Sequence, residues 1–177
     1  MRFVVDEIPE DGLNFAGESQ KQDFAIDSAD CRLSAPVKVT GTLEKVAREV
    51  FFQGRVETRL KVTCCRCLEP FQFLVKSGVT AHFVPESNHA QEDRPEIELH
   101  AEDIDIEYYE GDAIDLAQAV HDQILLSLPA SCLCREDCRG LCPHCGANLN
   151  QGDCGCRDEV SGDPRLDILK TLKDKIK

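Results

Sequence analysis

Six cysteines fall within the 23 positions from Cys134 to Cys156, in the stretch CREDCRGLCPHCGANLNQGDCGC. Thiols packed this densely serve as disulfides, a redox relay, iron–sulfur ligands or zinc ligands. The middle of the stretch, Cys142-Pro-His-Cys145-Gly146, has the spacing of a metal knuckle. Two intervening residues let both sulfurs face one ion while the backbone turns. Pro143 stiffens that turn, and Gly146 can take the positive φ that brings amide N–H groups to the thiolates. A tetrahedral zinc ion takes four nitrogen or sulfur ligands. The knuckle supplies two, and Cys134, Cys138, Cys154 and Cys156 are the candidates for the others. Six local thiols exceed the need of one mononuclear site. Either some are spare, or Cys64 and Cys67, in Cys64-Cys-Arg-Cys67, join them in a second site.

The competing chemistries fit less well. Eleven cysteines is an odd number, so complete internal pairing is excluded. The opening MRFVVDEIPEDG is too poor in apolar residues for the centre of an export signal, and no apolar run is long enough to span a membrane, so a cytoplasmic chain with reduced thiols is expected. An iron–sulfur cluster also takes four thiolates and stays open. A redox role for Cys64 and Cys67, with Arg66 favouring the thiolate, wants the pair at a helix entrance in a βαβ setting. Here both flanks alternate like strands. His144 sits between the knuckle cysteines, where its ring more easily points away, and Cys31 stands alone as a small buried or indifferent residue. A site closed by four thiolates leaves no position for water, so metal-assisted hydrolysis is not expected. There is no Gly-rich phosphate loop, Gly-x-Ser-x-Gly elbow or His-Glu-x-x-His helix, and the five histidines form no visible triad. The expectation is a protein that is not an enzyme and has no small-molecule substrate.

The elements that must position these thiols are mostly strands. Val37, Val39, Gly41 and Leu43 alternate with polar neighbours. Phe52, Gly54, Val56, Thr58, Leu60 and Val62 then share one face, with Gln53, Arg55, Glu57, Arg59, Lys61 and Thr63 on the other, so one long strand is half buried. Phe71, Phe73 and Val75, then Val79, Ala81 and Phe83, continue the alternation across Ser77-Gly78, which reads as a bulge or bend. MRFVVDEI reads as a short strand closed by Pro9 and a Gly12 turn, and Ile104 to Tyr108 gives another. Short connections imply an antiparallel sheet, curved or barrel-like. Helical spacing runs from Asp112, as N-cap, through Ile114, Ala117, Val120, Ile124 and Leu128 to a stop at Pro129. A short C-terminal helix opens with Asp163 as cap and Pro164 at its first position. The fold class is therefore α+β: a β-rich body over 1–110 with an acidic loop at about 86–103, then 111–177 with a helix, the cysteine-rich knuckle (134–156) and the last helix.

Charge is uneven. The net charge of −13 comes almost wholly from Glu86 to Asp115, with twelve acids and one base, Arg94. Residues 32–76 instead carry nine Lys/Arg against four Glu, so a basic face beside an acidic one is permitted. Arg55, Arg59 and Lys61 on the wet strand face, with Arg66, are candidate phosphate contacts.

Val-Thr-Cys64-Cys-Arg-Cys67-Leu-Glu-Pro-Phe71, Ile124-Leu-Leu-Ser-Leu-Pro129, the run from Cys134 to Asn150, and Asp163-Pro-Arg-Leu166 together resemble the YceD family, the large ribosomal RNA subunit accumulation proteins. The resemblance implies a non-catalytic role in accumulation or processing of large-subunit ribosomal RNA, with a precursor RNA or a ribosomal protein as partner. Some members keep the first cysteine pair and lack the six downstream thiols, which implies that the knuckle is a stabilising device and that recognition lies on the β body. A thiol-redox or iron–sulfur sensor built on Cys64 and Cys67, and a zinc-bearing adaptor for another protein, are the alternatives.

Overall fold

The computed structural model describes residues 1–86 and 106–156. In chain order the elements are β1 (Arg2–Val4), β2 (Leu13–Ser19), β3 (Cys31–Leu33), β4 (Val37–Val46), β5 (Glu49–Thr63), β6 (Pro70–Pro85), β7 (Ile106–Tyr109), β8 (Ala113–Asp115) and one helix, α1 (Ala117–Leu126). Short 3-10 turns occupy Val5–Glu7 and Lys21–Asp23.

Period-two alternation sets the two long strands. β5 buries Val50, Phe52, Val56, Thr58, Leu60 and Val62 and turns Phe51, Gln53, Arg55, Glu57 and Arg59 outward. β6 pairs with it antiparallel from Val50↔Phe83 to Thr63↔Pro70, so Val75, Val79, Ala81 and Phe83 join the same inner face. Gly41 and Gly54 oppose each other across β4 and β5 beneath the Phe52 ring. A Cβ on Gly54 would come within 2.5 Å of that ring, so the pair makes room for one of the largest buried side chains. Thr58, the one buried polar side chain among the described residues, donates to the carbonyls of Ala35 and Pro36 at 3.2 and 3.1 Å. Such a partner removes the penalty of an unpaired buried hydroxyl. α1 presses Ala119, Val120 and Ile124 into this core, and Gln123 Nε2 donates to Ser77 Oγ on β6 at 2.8 Å. The opposite face of the sheet is bare of any helix among the described residues.

Several expectations need correction. The main sheet is open, in the order β2-β4-β5-β6-β7 with β3 beside the free end of β5, and it does not close into a barrel. It is not wholly antiparallel: β7 runs parallel to β6, from His82↔Ile106 to Pro85↔Tyr109. Ser77-Gly78 makes no bulge, because Val56↔Ser77 and Arg55↔Gly78 keep the register unbroken. The helix does not start at Asp112. Ala113–Asp115 is a strand, and it pairs with β1 in a separate two-stranded sheet. Asp115 Oδ1, not Asp112, meets the start of α1, accepting the Ala117 N–H at 2.9 Å. β2 and β3 were not anticipated, although the burial of β2 alternates. The acidic loop beyond Glu86 and the helix expected from Asp163 lie outside the described residues. Among the described residues, no helix is long and apolar enough to cross a membrane.

Candidate metal centres and the open sheet face

The β5–β6 hairpin ends in the turn Cys64-Cys-Arg-Cys67-Leu-Glu. The Cys64 N–H donates to the Glu69 carbonyl at 3.0 Å and the Leu68 N–H to the Cys64 carbonyl at 2.9 Å. Cys142-Pro-His-Cys145-Gly-Ala repeats this frame: Cys142 N–H to the Ala147 carbonyl at 2.8 Å, and Gly146 N–H to the Cys142 carbonyl at 2.9 Å. In both, the residue after the second cysteine is left-handed, Leu68 at φ 60° and Gly146 at φ 73°. The two turns are therefore the same knuckle. One uses the residue suited to that conformation and the other tolerates a leucine there.

Each knuckle meets a second cysteine pair. Cys64, Cys67, Cys134 and Cys138 bring their sulfurs within 4.8 Å of one another, and so do Cys142, Cys145, Cys154 and Cys156. In the first quartet Cys64 Sγ and Cys138 Sγ are 3.8 Å apart, and Cys67 Sγ and Cys134 Sγ 3.7 Å. A tetrahedral ion with sulfur at about 2.3 Å has edges of about 3.8 Å. These two pairs are thus set at the separation one tetrahedral ion requires. His144 is exposed and belongs to neither quartet. Cys31, Cys65 and Cys132 are the three thiols left over.

The first quartet joins distant parts of the chain. The Cys65 N–H donates to the Cys132 carbonyl at 2.9 Å, and Leu141 N–H to the Arg66 carbonyl at 3.1 Å. Gly140, at φ 75°, lies so close to Arg66 that a Cβ would sit 3.0 Å from its carbonyl oxygen. Arg66 itself donates from Nη1 to the Cys138 carbonyl at 3.0 Å, so this candidate phosphate contact is built into the first cysteine quartet. Cys64, Cys67 and Cys138 are buried. The second quartet is wetter, with Cys142 buried and its other three cysteines exposed.

Each quartet pairs thiols whose ionisation is favoured with thiols whose ionisation is opposed. Burial opposes ionisation of Cys64, but the N–H groups of Cys67, Cys134 and Arg66 outweigh it and bring the thiol from 9.0 down to about 6. The Asn150 amide holds Cys138 low against its own burial. Cys134 is driven up to about 12 by burial and by the thiols of Cys67, Cys138 and Cys64. In the second quartet the N–H groups of Cys145 and His144 bring Cys142 to about 6. Cys156 rises to about 12 through hydrogen bonds with Cys145 and Cys154. Four adjacent thiols shed their protons together only when a metal replaces them.

The other candidate residues lie on the bare sheet face. Arg55, Arg59 and Lys61 point outward from β5, on the same face as Lys38 of β4, Lys76 of β6 and Arg32 of β3. Lys76 pairs with Glu57 at 3.1 Å and Lys38 with Glu18 at 3.8 Å, whereas no described carboxylate lies within ion-pair distance of Arg32, Arg55, Arg59 or Lys61. Beside Gly78, which has no side chain to fill the space, Lys38, Thr40, Arg55, Glu57 and Lys76 rim a depression of about 420 Å³. Phe51 stacks on His82 at the far end of this face, with ring centroids 4.1 Å apart.

Sequence spacing found all eight quartet thiols but did not divide them. It also missed Asn150, whose signal was only its place in the loop between Cys145 and Cys154.

The described residues thus form an open β-sheet whose longest hairpin ends in one of two four-cysteine clusters able to hold a metal ion. Over residues 52–173 the chain matches the YceD family, described as large ribosomal RNA subunit accumulation protein YceD, and it belongs to that family. An uncharacterized protein of Mycobacterium bovis is 35% identical over 107 residues, covering 60% of this chain and 48% of its own length. The uncharacterized protein YlbN of Bacillus subtilis is 24% identical over 178 residues, covering 96% and 93%. A maize protein named large ribosomal RNA subunit accumulation protein YCED homolog 1, chloroplastic, is 26% identical over 157 residues, covering 75% and 52%. The chain thus spans about half the length of the mycobacterial and maize relatives. No solved structure matches it.

Proposed function

We propose that this protein supports accumulation of large-subunit ribosomal RNA without catalysing a reaction, by holding a precursor RNA on the open face of its sheet while zinc fills both cysteine quartets. The observation that carries the reading is the row Arg55, Arg59 and Lys61: cations on one uncovered strand face with no described carboxylate within ion-pair distance, since Glu57 between them pairs with Lys76 instead. Positions 55 to 61 extend over about 20 Å at a strand's rise per residue. That length suits several successive backbone phosphates, and free cations there gain from counterion release. The family's description, accumulation of large ribosomal subunit RNA, supports that class of RNA as the partner.

Zinc is the ion the donor set favours, since four thiolates around a compact tetrahedron suit a borderline-soft ion with no geometric preference of its own. A four-iron cluster spreads its thiolates over separate irons, farther apart than the 3.7 and 3.8 Å seen in the first quartet. Zinc there would act structurally, as no coordination position is left for water.

The test is binding of the full, metal-loaded chain to large-subunit ribosomal RNA fragments across a salt series. In the Arg55→Ala/Arg59→Ala/Lys61→Ala variant, the slope of log affinity on log salt should fall by about 2 for single-stranded RNA. Metal content should stay unchanged. An unaltered affinity and slope would remove this face as the RNA site. A wild-type chain that binds no RNA but co-purifies with a ribosomal protein would replace RNA by that protein as the partner.

A further inference from the structure

Asn150 lies in the loop between the two halves of the second quartet, yet its side chain serves the first. Nδ2 donates to Cys138 Sγ at 3.3 Å and to Asn148 Oδ1 at 2.9 Å. Oδ1 accepts the Arg139 N–H at 2.9 Å and Arg135 Nη2 at 2.8 Å. Both partners of that oxygen can only donate, so the amide has one orientation, with its NH₂ towards the sulfur. Every hydrogen-bonding position of the side chain is filled.

The backbone holds the loop in the same place. Leu149 N–H donates to the Gly140 carbonyl at 2.9 Å, and Asn148 bridges Leu141. The strip from Ala147 to Asn150 therefore lies along Cys138 to Cys142, the link between the last ligand of one quartet and the first ligand of the other. This loop is closed at its ends by Cys145 and Cys154, which are ligands of the second centre.

We propose that Asn150 is a positioning residue that couples the two metal centres: an ion in the second quartet orders the loop, and the loop presents the Asn150 amide to Cys138, so the first centre holds its ion more tightly when the second is filled. The inference rests on the metal-centre reading. A hydrogen bond to a charged sulfur is worth roughly tenfold or more in an equilibrium. Linkage makes the effect reciprocal, so filling the first centre tightens the second by the same factor.

The experiment uses the full chain loaded with cadmium, followed by cadmium NMR, with the first centre's resonance assigned by its loss in Cys134→Ser. Release to a chelator is timed in the wild type, in Asn150→Asp, in Cys154→Ser/Cys156→Ser, and in all three changes combined. Asn150→Asp is near-isosteric, keeping an oxygen for Arg135 and Arg139 while removing the donor to sulfur. It should retain two ions, lose the first about tenfold faster and shift that ion's resonance. Emptying the second quartet should also speed loss of the first ion about tenfold in the wild type, but little further in the Asn150→Asp background. Unchanged release in Asn150→Asp, or equal acceleration by the cysteine variant in both backgrounds, would overturn the coupling. Asn150→Ala serves as a second test of the amide, read only if circular dichroism shows an intact sheet. A wild-type chain that takes up no metal would instead overturn the metal reading beneath the inference, which is a separate result.

Discussion

Cutting one ligand from the first quartet should cost more stability than cutting one from the second, and the chain's connectivity says by how much. A metal that clasps two points of a chain removes closure entropy from the unfolded state, and the loss grows with the length enclosed. Cys67 and Cys134 are separated by 67 positions. By the relation used for cross-links, a loop of that length corresponds to about 4 kcal/mol. Cys145 and Cys154 are nine positions apart, and the same relation gives about 2.5 kcal/mol. Cys134→Ser should therefore lose more than Cys154→Ser, by a little under 2 kcal/mol, a difference the reciprocal Asn150 coupling leaves unchanged because it is lost in both variants. Denaturant unfolding at fixed free zinc, read by circular dichroism, measures the difference. Limited proteolysis locates it: Cys134→Ser should open the chain between Leu128 and Cys142 while β5 and β6 stay protected, and Cys154→Ser should open only the region after Pro143. Equal losses in the two variants, or two ions retained by Cys134→Ser, would refute the division of the thiols into these quartets.

Leu68 sits at φ 60° with 61% of its surface exposed, so Leu68→Gly should relieve backbone strain and raise stability by up to about 1 kcal/mol. The reverse change in the twin turn, Gly146→Leu, should lower it by about as much, and thermal unfolding of both variants compares them. Metal affinity should fall as pH is lowered. The decline should steepen below about 6, where Cys64 and Cys142 also bind protons that the metal must displace. Calorimetry in buffers of different ionisation enthalpy counts those protons, and a count that stays constant from neutral to acid pH contradicts the thiolate assignment. For the metal-free chain the same two groups, lowered from 9.0, give stability that is complete above that value and lost as pH falls towards 6. Cys134 and Cys156, raised to about 12, work the other way and take stability away above pH 9. Melting of the reduced apo chain should therefore peak near pH 9, and a flat profile would argue against these shifts.

Local alternation was enough to read β5, because Phe52 to Val62 carry their burial in their order. It failed where pairing with remote chain decides the element. Ile114 fits a helical stripe equally well, and only the pairing of Arg2–Val4 with Ala113–Asp115 makes that segment a strand. Gly78 reads as a break from sequence, yet it lies on the wet face opposite Arg55, where nothing needs packing. The parallel entry of β7 was equally hidden. A long connection between Pro85 and Ile106 makes parallel pairing available, but length alone does not choose it. The thiols followed the same rule. Cys-x-x-Cys spacing identifies a knuckle, while its partner pair depends on which sulfurs the finished sheet brings near. Arg66 looked like a surface cation for the same reason, since its acceptor, the Cys138 carbonyl, is 72 positions away.

The hairpin tip that carries Cys64 and Cys67 also decides how two long strands line up. Turn geometry fixes hairpin register, and a slip of one residue sends every side chain to the opposite side. Such a slip here would drive Arg55, Arg59 and Lys61 into the interior and push Val56 and Leu60 out into water. An ion held at the tip would therefore guard an array that begins a few residues down the strand, making the thiols the alignment pin for a surface on other residues.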